Sequence, residues 1–362
     1  MSAPAARRTS LDLLRGVAVL VMIEAHVIDS WTRAEDRHSH AFAQSLVLGG
    51  FGAPLFLLLA GVAVGMSAGS KARRLGDDRV AARMVQRRGL EIFGLAFLFR
   101  LQSCILSHGP LWTLLKVDIL NIMGPSIVLA AALWGAVRSF AQRVFAFAIA
   151  TIALTLLTPW IRALPWLAAL PDPVEAYIRP VQGLSNFVMF PWAAFVFAGA
   201  LVGVLIDQTA TVEDERRLNL QFGIAGMLIA GVAYLLSFRP NPWMRSDFWT
   251  TSPSYFFLRA GLMTAAIAAA YAWQSRAGGA GRWSPLVQLG QTSLFIYWIH
   301  VEMVYGLISL PLHKSLTLRQ AWIAWAVFSL FMLLCSIAKD RVVAWWELRR
   351  QGRMPPRPAT AG

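Results

Sequence analysis

The sequence predicts an all-α fold, a polytopic transmembrane helical bundle of about ten helices with both termini in the cytoplasm. This prediction rests on three observations. The 362 residues are 57% hydrophobic and only 14% charged, whereas a soluble domain has about 25% charged residues. Their mean hydropathy is +0.55. Apolar runs of ~20 residues, which is the length that crosses the ~30 Å hydrocarbon core of a bilayer, recur along the chain.

Ten of these runs are predicted to span the bilayer, and no connection between them is long enough for a soluble domain. Residues 158–173 are rich in Pro and Trp, which predicts an interfacial loop or a short re-entrant piece between the fifth and sixth spans. The predicted spans are residues 11–30, 45–68, 89–107, 117–137, 142–161, 184–206, 219–238, 254–273, 285–310 and 318–339.

The basic residues predict the orientation of the spans. The net charge is +14, and most of the 33 Lys and Arg residues fall in alternate connections. Cytoplasmic loops of membrane proteins carry such an excess, so both termini are placed in the cytoplasm. We therefore predict one membrane domain over residues 1–340 and a basic cytoplasmic tail over residues 341–362. Because this charge is explained by topology, no nucleic-acid partner is expected.

Several other site types have no support in the sequence. The two cysteines, Cys104 and Cys335, are too few for a disulfide framework and do not form a CxxC pair. No HExxH, Walker or GxGxxG pattern is present. No metal site is predicted.

Polar residues within the predicted spans mark the candidate site, because ionisable groups in the bilayer usually face the protein interior and serve function. With the orientation set, five spans bring such groups into the outer half of the bundle. The polar and ionisable residues at this depth are His26, Arg100, Asp118, Asn121, Arg259, Tyr297 and His300.

The spacing of Arg15 and His26 strengthens this prediction. They are eleven residues apart, close to three helical turns, so both are expected on one face of the first span, ~16 Å apart along the axis. An imidazole is suited to general-base chemistry near neutral pH. Simpler interpretations stay open: His26 as an interfacial residue at a helix end, His300 as a satisfied core histidine, and Arg100 with Asp118 as a structural ion pair.

Residues 7–27, RRTSLDLLRGVAVLVMIEAHV, resemble the first helix of the membrane acyltransferase superfamily, which includes lysosomal heparan-alpha-glucosaminide N-acetyltransferase and bacterial sugar O-acyltransferases. The Leu-Asp-x-x-Arg-Gly opening is present as Leu11, Asp12, Arg15 and Gly16. Further segments resemble the heparan-acetyltransferase branch in the expected order. They are residues 51–66, 117–130, 190–203 and 290–301.

The resemblance implies acyl transfer from cytoplasmic acyl-CoA, with acetyl-CoA as the expected donor, to a hydroxyl or amine of a carbohydrate on the outer side. In this interpretation Arg15 attracts the CoA phosphates. His26 deprotonates the acceptor or first takes the acyl group, and Asp118 orients His26. Arg100, Asn121 or Tyr297 polarises the thioester carbonyl. We assign His26, Asp118 and Arg100 to catalysis, and the substrate-binding residues are Arg15, Asn121, Tyr297 and His300.

The resemblance leaves alternatives open. In the lysosomal branch the catalytic histidine is placed in the first lumenal loop, where this chain has His38 and His40; the spacing with Arg15 favours His26. A secondary transporter that uses buried Arg, Asp and His residues is the alternative function, and a lipid-binding scaffold that uses residues 339–362 is a third. The expected location is the lipid bilayer of a bacterial inner membrane, and a homo-oligomer is left open.

Overall fold

The helices of the computed structural model follow the apolar runs of the sequence. The structure describes residues 8–239, 246–276 and 283–351, which form thirteen α-helices and no β-strand. The helices are α1 Thr9–Trp31, α2 His40–Gly49, α3 Gly52–Leu75, α4 Asp78–Leu106, α5 Ile119–Ala136, α6 Phe140–Arg162, α7 Asp172–Ile178, α8 Met189–Asp207, α9 Val212–Ser237, α10 Pro253–Arg276, α11 Pro285–Gln291, α12 Ser293–Tyr305 and α13 Leu318–Gln351.

Eight elements of the described chain are long and apolar enough to cross a membrane, which confirms the polytopic helical bundle. They are α2 together with α3, then α4, α5, α6, α8, α9, α10 and α13. The other two predicted spans are the first and the ninth. α1 has the length of a span, but four charged residues lie along it, Asp12, Arg15, Glu24 and Asp29.

The ninth span, predicted as one helix over residues 285–310, is two short helices in the structure. α11 and α12 meet at Thr292, whose φ and ψ are −105° and 16°. The Thr292 hydroxyl lies 3.0 Å from the Gln288 carbonyl oxygen and 2.6 Å from the Ser336 hydroxyl of α13. These bonds supply polar partners at the break, which an interrupted helix in a membrane requires.

Ion pairs join helix ends that are predicted to be cytoplasmic. Their N···O distances are 2.6 Å for Arg8–Glu215, 2.5 Å for Arg73–Asp207 and 2.5 Å for Arg143–Asp78. The pairs link the starts of α1 and α9, the ends of α3 and α8, and the starts of α6 and α4. The structure therefore places the two helix ends of each ion pair on the same side of the bundle, as the predicted orientation requires. That this side faces the cytoplasm stays a prediction.

The centre of the bundle is built on close backbone contact between α3 and α8. A Cβ on Gly61 would lie 2.0 Å from the Val196 carbonyl oxygen, and one on Gly199 would lie 1.9 Å from that of Leu58. Such approach between small residues is how transmembrane helices gain packing contacts where lipid gives no hydrophobic driving force. Of these two helices, α3 also packs against α1.

The Pro- and Trp-rich connection and the tail differ in part from expectation. Residues 158–173 hold the end of α6 and a short 3-10 helix, Pro165–Ala169, before α7 begins, in keeping with a short interfacial piece. α13 continues without a break through residue 340 to Gln351. Residues 352–362 of the predicted tail lie outside the described residues, so the domain boundary stays a prediction.

Candidate active site

A cavity of about 1480 Å³ runs along α1. Its lining includes Arg15 near the start of α1 and Asp29 near the end, a separation of about 21 Å along the axis. α3, α4, α5 and α12 supply most of the other walls. A small-molecule pocket typically measures ~300–1,000 Å³, so this cavity has room for a long ligand.

The predicted cytoplasmic end of the cavity is basic. The cations in its lining are Arg15, Lys71, Arg87 and Arg88. Arg15 lies 2.9 Å from Asp12, and Arg87 and Arg88 both pair with Glu91. The Arg87 and Arg88 side chains are 84% and 58% exposed, and exposed ion pairs of this kind contribute little. Both guanidinium groups can therefore exchange Glu91 for an anionic ligand at small cost.

His26 lies in the cavity wall with a second histidine directly behind it. The His26 Nδ1 atom is 2.9 Å from Nε2 of His300. On its other side, His300 Nδ1 is 2.7 Å from the Ile296 carbonyl oxygen. The Tyr305 ring meets His26 edge-on at 5.5 Å between centroids. His26 is thus the member of the pair that a ligand can reach.

His300 itself is fully buried and does not line the cavity. The sequence assigns His300 to substrate binding together with Tyr297, which does line the cavity. The structure instead turns His300 towards α1. The sequence gives no direct signal for this contact, because 274 residues separate the two histidines.

Arg100 and Asp118 form an ion pair in the outer part of the cavity wall. Each side chain is only 13% exposed. Asp118 Oδ1 also accepts a 2.8 Å hydrogen bond from Asn186 Nδ2. The prediction that Asp118 orients His26 therefore needs correction: its carboxylate is held by Arg100 and Asn186, and the partner of His26 is His300.

Asn121 has a structural position behind the cavity. It lies in the first turn of α5, and Asp118 is the residue that precedes this helix. The Asn121 Oδ1 atom accepts from the Asp118 backbone N–H at 3.0 Å, and its Nδ2 donates to the Tyr177 hydroxyl at 3.3 Å. Burial raises the pKa of Tyr177, which keeps this hydroxyl neutral. An Asp directly before an apolar run is a helix-start pattern, and this signal could have identified the cap.

Seven residues are assigned above to catalysis or substrate binding. Five of them line this cavity, namely Arg15, His26, Arg100, Asp118 and Tyr297. Arg259 is buried against Tyr255, with its guanidinium carbon 4.1 Å from the ring centroid, and does not line the cavity. Neither His38 nor His40 lines it; both are exposed.

The lining also includes polar residues that the sequence did not single out, Ser103, Lys116, Asn186 and Tyr305. Of these, Lys116 stands just before the predicted span 117–137 and Asn186 lies at the start of the predicted span 184–206, positions that could have marked them.

Comparison with known proteins agrees with this architecture. No curated protein sequence matches the chain. Residues 7–229 match the family model described as heparan-alpha-glucosaminide N-acetyltransferase, catalytic. The match includes α1, with Arg15 and His26, and the Arg100–Asp118 pair, whereas His300 lies beyond it. Since the family model matches more than half of the chain, this integral membrane protein belongs to the heparan-alpha-glucosaminide N-acetyltransferase catalytic family, a family of membrane acetyltransferases.

Proposed function

We propose that the protein transfers the acetyl group of cytoplasmic acetyl-CoA to a hydroxyl or amine of a carbohydrate on the opposite side of a bacterial inner membrane. The observation that supports this proposal most directly is the cavity, which joins a basic end at Arg15 to a polar end at Asp118 and passes His26 between them. The family membership supports acetyl transfer, and the geometry supports the direction.

The donor is proposed to enter at the basic end. Arg15, Arg87 and Arg88 are suited to phosphate recognition, because a guanidinium presents several donors in a planar fork. The apolar residues that line the cavity beyond them, such as Phe56 and Met123, suit the pantetheine arm. The thioester would then lie beside His26, some 16 Å further along α1.

The acceptor is proposed to bind at the polar end. Two buried atoms there have no hydrogen-bond partner among the described residues, Arg100 Nε and Glu302 Oε1. Buried polar groups are rarely left unpaired, so this end of the cavity holds hydrogen-bonding capacity that the described residues do not use. Ser103, Asn186 and Lys116 extend this surface. A carbohydrate has the hydroxyl density that such a site needs.

His26 is proposed as the general base. It accepts the proton of the acceptor hydroxyl or amine while the oxygen or nitrogen attacks the thioester carbonyl carbon, and a C–O or C–N bond forms. The C–S bond then breaks, and the CoA thiolate takes the proton back from His26. Arg100 lines the same cavity and is proposed to stabilise the negative charge on the carbonyl oxygen.

The experiment is incubation of purified protein with acetyl-labelled acetyl-CoA and an envelope fraction, followed by identification of the labelled molecule. We expect label on a carbohydrate and a 10²–10⁴-fold slower transfer by His26→Ala, with acetyl-CoA binding retained. His38→Ala and His40→Ala are the matched controls and should transfer at the wild-type rate.

Two results would contradict the proposal. Wild-type transfer by His26→Ala together with loss of transfer in His38→Ala or His40→Ala would move the base to the loop. Proton-coupled uptake into liposomes without any need for acetyl-CoA would favour the transporter.

A further inference from the structure

The rings of His26 and His300 are nearly parallel and meet nitrogen to nitrogen. Their ring planes differ by 10° and their centroids are 5.1 Å apart. The 2.9 Å Nδ1···Nε2 contact plus one ring radius at each end comes close to this separation, so the two nitrogens face each other. The N–H of one ring therefore points along the lone pair of the other, which is the geometry of a good hydrogen bond.

The Ile296 carbonyl decides which nitrogen carries each proton. A carbonyl oxygen only accepts hydrogen bonds, so His300 Nδ1, at 2.7 Å from it, must donate. The neutral ring then has its lone pair at Nε2. His300 Nε2 therefore accepts, and His26 Nδ1 donates. The remaining nitrogen of His26, Nε2, has a free lone pair, and His26 is the ring that lines the cavity.

We propose that His300 is the positioning residue of the active site: it fixes the tautomer and the plane of His26 and stabilises the positive charge that His26 gains when it accepts a proton. This inference rests on the proposed acetyl transfer. When His26 Nε2 takes the acceptor proton, its Nδ1–H bond to His300 Nε2 becomes charge-assisted, and such bonds are roughly twice as strong as neutral ones. The contact thus strengthens in the transition state, which is the condition for raising kcat.

The arrangement uses no carboxylate behind the base. Asp118, the candidate for that role, is committed to Arg100 and Asn186, and none of the hydrogen bonds found for the two rings in the described part of the chain goes to a carboxylate. A neutral imidazole anchored on a backbone carbonyl supplies the same orientation without placing a charge behind His26. α12 holds both ends of this anchor, since Ile296 and His300 are one helical turn apart.

The test replaces His300 by Gln and by Leu in the full-length protein, with acetyl-CoA as the donor. The Gln side-chain oxygen can accept from His26 Nδ1, whereas Leu fills space and accepts nothing. We expect His300→Leu to lower kcat about 10- to 100-fold, the effect of one lost bond to a charged group. The KM for acetyl-CoA should be unchanged, because His300 does not line the cavity. His300→Gln should regain most of the lost kcat.

The control is His313→Leu, which removes another imidazole bonded to a buried carbonyl, that of Val304, at 3.0 Å; it should leave kcat unchanged. Equal kcat losses in the Gln and Leu variants with intact acetyl-CoA binding would overturn the inference, and so would wild-type kcat in both. If the Leu variant does not fold, the Gln variant alone tests the inference, because the inference requires its kcat to be near the wild-type value. Absence of acetyl transfer by the wild-type protein would instead defeat the proposed function.

Discussion

Gly16 of α1 lies so close to Leu286 of α11 that a Cβ on Gly16 would fall 1.9 Å from the Leu286 carbonyl oxygen. This contact explains in physical terms why a glycine follows Arg15 in the segment that resembles the acyltransferase superfamily. α1 presents Arg15 and His26 to the cavity, and α11 leads into α12, which holds His300. The close approach of α1 to α11 therefore sets the distance between the two halves of the site.

Gly16→Ala is expected to force these helices apart. A methyl group at 1.9 Å from a backbone oxygen cannot be accommodated by side-chain movement, and overpacking of this kind costs about 1–3 kcal/mol. We predict a lower Tm and reduced acetyl transfer. The matched control is Gly94→Ala in α4, where an added Cβ meets nothing within 4 Å; it should leave both quantities at or above the wild-type values.

The sequence predicts the spans and the candidate residues because each depends on local signals. Apolar runs define the helices, and ionisable residues stand out within them. Contacts between distant residues leave no such signal, and the His26–His300 bond and the Asp118–Asn186 bond are both of this kind. The sequence did not predict the break of the ninth span at Thr292, where one polar partner of the broken helix, the Ser336 hydroxyl of α13, is 44 residues away.

Asp36 is expected to make the start of α13 sensitive to acid. Its Oδ2 atom accepts a hydrogen bond from the Leu318 backbone N–H at 2.7 Å. This bond is the main reason why the pKa of Asp36 lies below its usual value, and the hydrogen bond from the Arg33 side chain is the second. A carboxyl group whose pKa is lowered in the folded state stabilises the fold at pH values above its ordinary pKa of ~3.9. This stabilisation is lost as the pH falls through the lowered pKa.

Hydrogen exchange at the start of α13 should therefore become faster as the pH drops below about 4, after correction for the intrinsic pH dependence of exchange. Asp36→Asn retains an acceptor oxygen that does not titrate, so its corrected exchange should not change over the same interval. An equal acid response in both proteins would show that another group controls this helix start.

The contribution of the Arg100–Asp118 pair to stability can be measured separately from its contribution to catalysis. Each side chain is 13% exposed, and removal of one partner from a buried pair leaves an uncompensated charge, at a cost of about 3–5 kcal/mol. We predict that Arg100→Met and Asp118→Asn each lower stability towards denaturant. The double variant should be more stable than the sum of the single changes implies.

Acetyl transfer should respond differently, because Arg100 is proposed to stabilise the carbonyl oxygen. The double variant should regain stability but remain slow in transfer. Recovery of both quantities together would identify the pair as structural alone, the simpler interpretation that the sequence left open.

Arg87 and Arg88 should determine the affinity for the phosphate portion of the donor. Both line the basic end of the cavity and are exposed. We predict that Arg87→Ala/Arg88→Ala raises the KM for acetyl-CoA about tenfold, which corresponds to ~1.4 kcal/mol shared by two exposed contacts. The effect should shrink at high salt, since exposed charges are screened.

Acetyl-pantetheine has no phosphates, so its KM should not change. Arg83→Ala is the control on the same helix, because Arg83 is exposed but does not line the cavity. An equal rise of KM for both donors would show that the two arginines act on the shape of the cavity rather than on the phosphates.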